Sequence, residues 1–326
     1  MSRVLVTGAT GGLGLAVVEA LREAGHDVRA TGRRSDVAGR LQGLGAEFVA
    51  ADLTAGAMNG LVAGMDGVIH CAALSSPWGP YETFHKINVL ATRYLLAAAR
   101  DAGVGRFVLV SSPSIYARHA DQVGLTEADP PAVKPLNAYA ATKLMAEREV
   151  LAASSPEMAC VAVRPRAIVG PDDTVLLPRV LRMIDGGRFP LIRQGRALIE
   201  LTDARDAADA LVRALDRAEA VAGEAFNISG GRPMTIRAMA ETLAAALGRD
   251  ISFVHLPYGL VSVAAMLSQA VCNLWPGRPE PRLTPYTLAT LGFSQTFDLT
   301  KARERLGYVP RYDAFQTALE VARHDR

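Results

Sequence analysis

Cysteine is scarce in this chain of 326 residues, and the three present, Cys71, Cys160 and Cys272, lie far apart without metal-ligand spacing. So few thiols argue against a disulfide framework and fit a reducing compartment. An excess of one charge is missing too: Lys+Arg 35 against Asp+Glu 33 leaves +2 with no basic run, so no nucleic-acid partner is expected. His85, His119 and His255 are scattered, and no metal site is expected. The opening MSRVLVTGATGG lacks the basic, apolar and cleavage-site order of a signal peptide, which points to the cytoplasm. The longest charge-free apolar stretch, Leu256 to Pro276, is broken by Pro257, Gly259, Ser262, Ser268, Gln269 and Asn273. That pattern falls short of a membrane span. It reads as a buried or cleft-covering helix, with peripheral membrane contact as the alternative. No internal repeat or low-complexity segment is apparent.

Half of the residues are hydrophobic, enough for one large domain or two closely joined ones. Short apolar runs at Val4–Thr7, Asp27–Thr31, Glu47–Ala50, Gly67–Cys71, Arg106–Ser111 and Cys160–Arg164 alternate with helical patterns at Gly14–Ala24, Phe84–Ala102 and Ala138–Ala153. The strands lack polar alternation, as a parallel sheet covered on both faces requires. The expected fold is therefore α/β, a Rossmann-type doubly wound parallel sheet. Beyond Arg164, prolines and the Gly186-Gly187 pair break the rhythm. Asp203–Arg217, Thr235–Leu247 and Tyr312–Arg323 read as helices, Ala225–Ile228 as a strand, and Pro276 to Pro285 as a polar, Pro-rich tail. Residues 1–165 and about 200–229 are expected to form the dinucleotide-binding domain. About 166–199 and 230–326 are expected to form a smaller, partly interleaved substrate lobe.

The first strand runs through Thr7 into Gly8-Ala-Thr10-Gly11-Gly12-Leu13-Gly14 and then into a helix. Glycines let the backbone turn sharply and let a pyrophosphate approach the peptide N–H groups at a helix N-terminus. Further on, Tyr139-Ala-Ala-Thr-Lys143 places a phenol and an ammonium on one helix face. A fixed positive charge is expected to lower the phenol's pKa from about 10 and fit it for proton exchange with an alcohol. A serine-rich strand end, Ser111-Ser112-Pro-Ser114, offers three hydroxyls.

The G-x-x-G-x-x-G spacing resembles that of the short-chain dehydrogenase/reductase superfamily in its extended branch. Asp52-Leu53, where that family binds adenine, His70-Cys71-Ala72-Ala73, where it lines the cofactor, and Asn88-Val-Leu-Ala-Thr92 agree with the resemblance, although Ala91 replaces a glycine. So do Arg164-Pro165-Arg-Ala-Ile168-Val-Gly-Pro171, which borders the nicotinamide in the family, Gly223-Glu-Ala-Phe-Asn227, and the run from Phe297-Asp298 to Pro310. The resemblance implies that Ser112, Tyr139 and Lys143 are catalytic. Ser112 is singled out because the family's serine lies four residues before an aromatic, here Tyr116; Ser111 and Ser114 compete with it. Asn88 is a possible fourth member, orienting the site. Lys143 would also bind the cofactor ribose. Relatives that prefer NAD end the second strand with an acid. Here Arg33 and Arg34 follow it instead, and NADP(H) is favoured over NAD(H) because guanidiniums suit a 2′-phosphate.

Two groups of that branch compete. Nucleotide-sugar epimerases and dehydratases, which recycle bound NAD, carry an R-D-F step whose arginine holds the diphosphate; the aligned Ile199-Glu200-Leu201 has none, though Arg193 or Arg196 could replace it. The 3β-hydroxysteroid dehydrogenases and 2-alkyl-3-oxoalkanoate reductases share Pro77-Trp78-Gly79, Leu176-Leu177-Pro178 and an apolar segment like Leu256–Trp275. The expected activity is hydride transfer between a ketone and a secondary alcohol on a small apolar substrate, steroid-like or β-keto/β-hydroxy, with Trp78, Ser112 and Ser114 touching it. A cofactor-sensing protein without catalysis is a third reading, disfavoured because the Tyr-Lys pair is kept. Alanine-rich faces on the helices around 84–102 and 138–153 suggest a homodimer.

Overall fold

The computed structural model describes residues 1–324 apart from 57, 174–175, 276 and 282. Pro276, the far end of the apolar stretch, thus lies outside the described residues. Seven strands, β1 Arg3–Thr7, β2 Asp27–Gly32, β3 Glu47–Ala50, β4 Gly67–His70, β5 Arg106–Val110, β6 Ala159–Pro165 and β7 Ala225–Ile228, pair in the order 3-2-1-4-5-6-7, every neighbour parallel. The strand order reverses between β1 and β4, so a crevice opens beyond their C-terminal ends.

The central strands are largely apolar because each face meets helices, while β2 and β3 at the sheet edge carry Asp27, Arg29 and Glu47, the last two paired at 2.9 Å. The helices of eight residues or more are α1 Gly12–Glu23, α2 (the helical run 81–101), α3 Ala138–Ala152, α4 Leu177–Asp185, α5 Ala204–Asp216, α6 Ile236–Ala246, α7 Tyr258–Leu274, α8 Pro285–Gly292 and α9 Ala314–His324. Alternation along each strand divides the core in two. Val4, Val6, Val108, Val161 and Val163 pack with Leu15, Val18 and Leu21 of α1 and Leu211 and Leu215 of α5. Leu5, Phe107, Leu109 and Cys160 turn the other way, onto Leu95, Leu96 and Ala99 of α2 and Ala146 and Val150 of α3. Asp203 and Thr235, read above as helix residues, are N-caps, accepting from the backbone N–H of Arg205 at 2.8 Å and Ala238 at 3.1 Å.

A second core joins α4, α6 and α9 through Val180, Ile184, Met239, Leu243, Ala318 and Leu319. A parallel pair, Arg188–Ile192 with Ser252–Leu256, packs against it; the sequence pattern hides this pair because Pro190 interrupts one strand and His255 the other. A two-strand pair tolerates such a proline at its edge. The apolar helix α7 departs from expectation. Val261 and Ala265 are buried, while Leu260, Met266, Leu267, Val271, Leu274 and Trp275 are exposed. It lies on the outside of the molecule, and α8, which starts at the last residue of what reads as tail, faces the crevice instead. Among the described residues no helix is long and apolar enough to cross a membrane.

One buried ion pair locks α3 to the sheet. Arg164 of β6, 6% exposed, donates from Nε and Nη2 to the two oxygens of Glu147 at 2.8 and 2.6 Å, and from Nη1 to the Tyr116 hydroxyl. Removing one partner strands a charge in the interior, which costs about 3–5 kcal/mol, whereas replacing both by apolar groups is far cheaper. Glu147→Ala is therefore expected to lose about 3 kcal/mol or more in urea unfolding. The double variant Glu147→Leu/Arg164→Met should recover most of that loss.

Candidate active site

The glycine-rich turn leaves no room for side chains. Gly8 sits at φ +65°, and a Cβ there would lie 2.6 Å from the Ala72 nitrogen. A Cβ on Gly14 would lie 2.2 Å from the Gly8 carbonyl oxygen. Gly11, the N-cap of α1, offers no side-chain cap, so the first N–H groups of the helix stay available to an anion. Gly8, Gly11, Gly12, Leu13 and Gly14 line a cavity of 960 Å³ that continues along the ends of β4, β5 and β6. A cradle of backbone amides with side chains excluded fits the pyrophosphate of a dinucleotide. Asp172 crosses it: its carbonyl oxygen lies 2.6 Å from where a Gly12 Cβ would be, and its carboxylate pairs with Arg40 at 2.8 Å.

A directed chain of hydrogen bonds fixes the strand ends beside this turn. The Ala72 N–H donates to Thr7 Oγ1 at 3.3 Å, and Thr7 Oγ1 lies 2.6 Å from His70 Nδ1. His70 Nε2 lies 2.9 Å from Thr92 Oγ1, which gives its own proton to the Asn88 carbonyl at 2.8 Å. Thr92 has one proton, so Nε2 must be the donor, and Nδ1 then accepts from Thr7. The ring is neutral in this arrangement. Burial, helped by the Lys143 charge, pushes its pKa down to about 3. Asn88, in the π-helical turn of α2, accepts from the Leu74 N–H at 2.7 Å and donates to the Leu74 carbonyl at 3.2 Å and to Thr142 at 3.1 Å. It holds the chain beyond β4 against α3.

Asn137 caps α3, accepting from the Ala140 N–H at 2.8 Å, and so sets Tyr139 in the first helical turn. Tyr139, Lys143, Ser111 and Ser112 all line the cavity. The Tyr139 hydroxyl faces Ser112 and Ser75; burial pushes its pKa up, and those two hydroxyls pull it partly back. This differs from the expectation of a phenol lowered by its lysine: burial is the largest cause, and the groups that pull against it are the Ser112 and Ser75 hydroxyls, not Lys143. Lys143, 3% exposed, donates to the Val110 carbonyl, and burial pushes it down to about 8 against the opposing pull of Glu147.

Of the other residues singled out in the sequence, Cys71, Ala73, Pro165 and Ile168 line the cavity. Burial pushes the Cys71 thiol up to about 12, which leaves it unreactive. Ala72 forms the floor beneath Gly8. Thr10 is buried against Gly32. Arg33 and Arg34 lie exposed beyond β2, outside the cavity wall, with Arg34 paired to Asp36 at 2.8 Å. Asp52 accepts from the Thr54 N–H at 2.8 Å, with Leu53 half-buried behind it. Trp78 is turned away from the wall, its indole N–H donating to the Arg278 carbonyl at 3.0 Å. Ser114 is buried behind Ser112, its hydroxyl without a partner among the described residues. Arg193 pairs with Asp121 at 2.8 Å, and with Arg196 it lines a separate cavity of 260 Å³. Sequence reasoning missed Ser75, Arg166 and Tyr286, which line the main cavity. Arg166 alone carried a signal, a cation inside the Pro165-to-Pro171 motif.

The family model described as NAD dependent epimerase/dehydratase family matches residues 4–229. The 2-alkyl-3-oxoalkanoate reductase of Stenotrophomonas maltophilia is 36% identical over 319 residues, covering 95% of each chain. A 4-hydroxy-2-methyl-3-oxo-4-farnesyl-3,4-dihydroquinoline-1-oxide ketoreductase of Stigmatella aurantiaca is 34% identical, covering 95% of this chain and 92% of its own. Among solved structures, MoeE5 in complex with UDP-glucose and NAD superposes with a TM-score of 0.77 at 25% identity, covering 99% of both chains. The chain belongs to the NAD dependent epimerase/dehydratase family of extended short-chain dehydrogenases/reductases, on the branch of the 2-alkyl-3-oxoalkanoate reductases, and is an NAD(P)-dependent oxidoreductase acting on CH–OH groups.

Proposed function

We propose that the protein reduces a ketone to a secondary alcohol, and runs the reverse oxidation, on a small apolar substrate of the β-keto/β-hydroxy kind, with NADP(H) preferred. The observation that carries this reading is the Tyr139 hydroxyl facing Ser112, in the cavity that also holds the glycine-rich turn and Lys143. Bound dinucleotide supplies the hydride for reduction and takes it up in oxidation. Ser112 holds the substrate oxygen by donating a hydrogen bond. Tyr139 gives its proton to that oxygen as the carbonyl carbon is reduced, and takes one back in oxidation. Lys143 stabilises the resulting phenolate and binds the cofactor ribose.

Apolar residues on the far wall, among them Leu176, Val180, Met183, Met239 and Leu291, suit an apolar substrate. The relative from Stenotrophomonas is named for a 3-oxoalkanoate, which agrees with that class. The nucleotide-sugar reading draws on MoeE5. It is weakened here because Ile199 stands on the wall in place of the diphosphate arginine, while Arg193 and Arg196 open on a different cavity. We also propose the division given above, residues 1–165 and about 200–229 as cofactor domain and the remainder as substrate lobe. A homodimer through α2 and α3 and a cytoplasmic location belong to the same reading.

Stoichiometric consumption of NADPH with a 3-oxo substrate is expected, since a recycling epimerase would leave the added cofactor unchanged. Tyr139→Phe should lower turnover by roughly 10³-fold while cofactor affinity stays within about twofold. The Lys143 amine is charged below about pH 8 and neutral above it. The Tyr139 phenol, pushed up, stays protonated through that range. Reduction should therefore fall off above about pH 8 in the wild type, and a pH–rate profile of Lys143→Met should be low and lack that limb. Arg33→Ala/Arg34→Ala should lower the kcat/KM ratio of NADPH to NADH by about 10-fold or more, since each charge-assisted bond to a phosphate is worth about 1.5–3 kcal/mol.

A further inference from the structure

Arg166 stands at the wall of the main cavity with a guanidinium nitrogen that nothing among the described residues engages. Its backbone is pinned on both sides, the N–H donating to the Ile228 carbonyl at 2.8 Å and the carbonyl accepting from the Thr202 hydroxyl. Its side chain makes no ion pair among the described residues, and its Nε is buried with no hydrogen-bond partner. Burial disfavours the charge, while Tyr286 and Glu200 favour it. Glu200 lies within electrostatic reach, and each group favours the other's charged form, but the two make no salt bridge; burial pushes the carboxyl up, Ser229 and the Phe297 backbone engage it, and one of its oxygens has no hydrogen-bond partner among the described residues. Tyr286, on α8, is within electrostatic reach of both Arg166 and Tyr139, so the guanidinium and the proton donor share one chamber. A buried donor left without a hydrogen-bond partner is costly, and an acceptor brought by a ligand would remove that cost.

We propose that Arg166 is the recognition site for the carboxylate of a 3-oxo or 3-hydroxy acid, whose reacting carbon sits at Tyr139. The inference rests on the reductase reading for the position of that carbon. A single guanidinium matches a monoanionic carboxylate, which its planar fork can hold through two parallel hydrogen bonds. The apolar wall then takes the alkyl part, and the acid group fixes the orientation of the chain.

The test uses the full-length protein loaded with NADP⁺, titrated calorimetrically with 3-hydroxydecanoate and with its methyl ester. The wild type should bind the acid about 10-fold or more tightly than the ester, as one charged hydrogen-bonded pair predicts. Arg166→Gln should erase that preference by weakening the acid alone, and Arg166→Lys, which keeps a point charge, should retain part of it. Equal binding of acid and ester by the wild type, or binding of neither, overturns the proposal. So does an Arg166→Gln variant, folded by circular dichroism, that weakens both ligands alike. Loss of cofactor affinity with the acid preference intact would move the guanidinium to the dinucleotide and overturn it too. Should Arg166→Gln not fold, Arg166→Lys decides: a preference equal to that for the wild type or lost for both ligands together counts against the assignment. Cofactor reduction is followed in parallel. An acid preference that depends on Arg166, without any cofactor reduction, supports the carboxylate site and rejects the reductase reading.

Discussion

The site is organised by an ammonium group taken out of water. Lys143 is almost fully buried, and its Nζ reaches the Val110 carbonyl at the end of β5. One turn further along α3, Glu147 is tied by two bonds to Arg164 of β6. Tyr139, Lys143 and Glu147 are spaced four apart, so they share a helix face, and that face is clamped to two adjacent strands. The clamp leaves Tyr139 little freedom to leave the ends of those strands. Glu147 also offsets part of the desolvation cost on Lys143, so the Arg164–Glu147 pair acts on the lysine's charge as well as on the helix position.

The opposite wall is held without net charge. With the imidazole kept neutral by burial, the chain of donors from Ala72 through Thr7, His70 and Thr92 to Asn88 has one consistent direction. A charged His70 would face the Lys143 ammonium in a dry interior, and burial with that charge opposes it. The two walls are thus electrostatically compatible only with the positive charge on one of them. Asn88 then passes the order of this chain to the Leu74 backbone and to Thr142 on α3.

Much of the fold was legible because local chemistry and long-range packing agree. Strands β1, β4, β5 and β6 announce themselves as Val/Ile/Leu-rich runs without polar alternation, and Asp203 and Thr235 announce helix starts even though they stand just outside them. The glycine-rich turn was legible because Gly8 and Gly14 sit where any Cβ would strike backbone. Three other features are set by distant partners and leave no local trace. A charge-free stretch such as 258–274 has the same composition whether a protein covers it or leaves it exposed. Trp78 looks like a substrate contact by its neighbours in sequence, yet its indole is taken by the Arg278 carbonyl two hundred residues away. Tyr286 follows a Pro-rich run that reads as tail, and only the docking of α8 brings it to the cavity.

The same desolvation also biases the chemistry. In water a phenol and an amine with pKa values near 10 would both be fully protonated at neutral pH. Burial moves Tyr139 up and Lys143 down, each toward its neutral form. Tyr139 therefore rests as the acid, the form that carbonyl reduction consumes. The proposed oxidation would need the phenolate, which the dry site disfavours; an oxidised nicotinamide held in the cavity would supply a positive charge that favours it. In the proposed reaction the protonation state of the tyrosine would then follow the redox state of the cofactor: acid with the neutral ring, base with the cationic one. One low-dielectric chamber can thus serve both directions with the same three side chains.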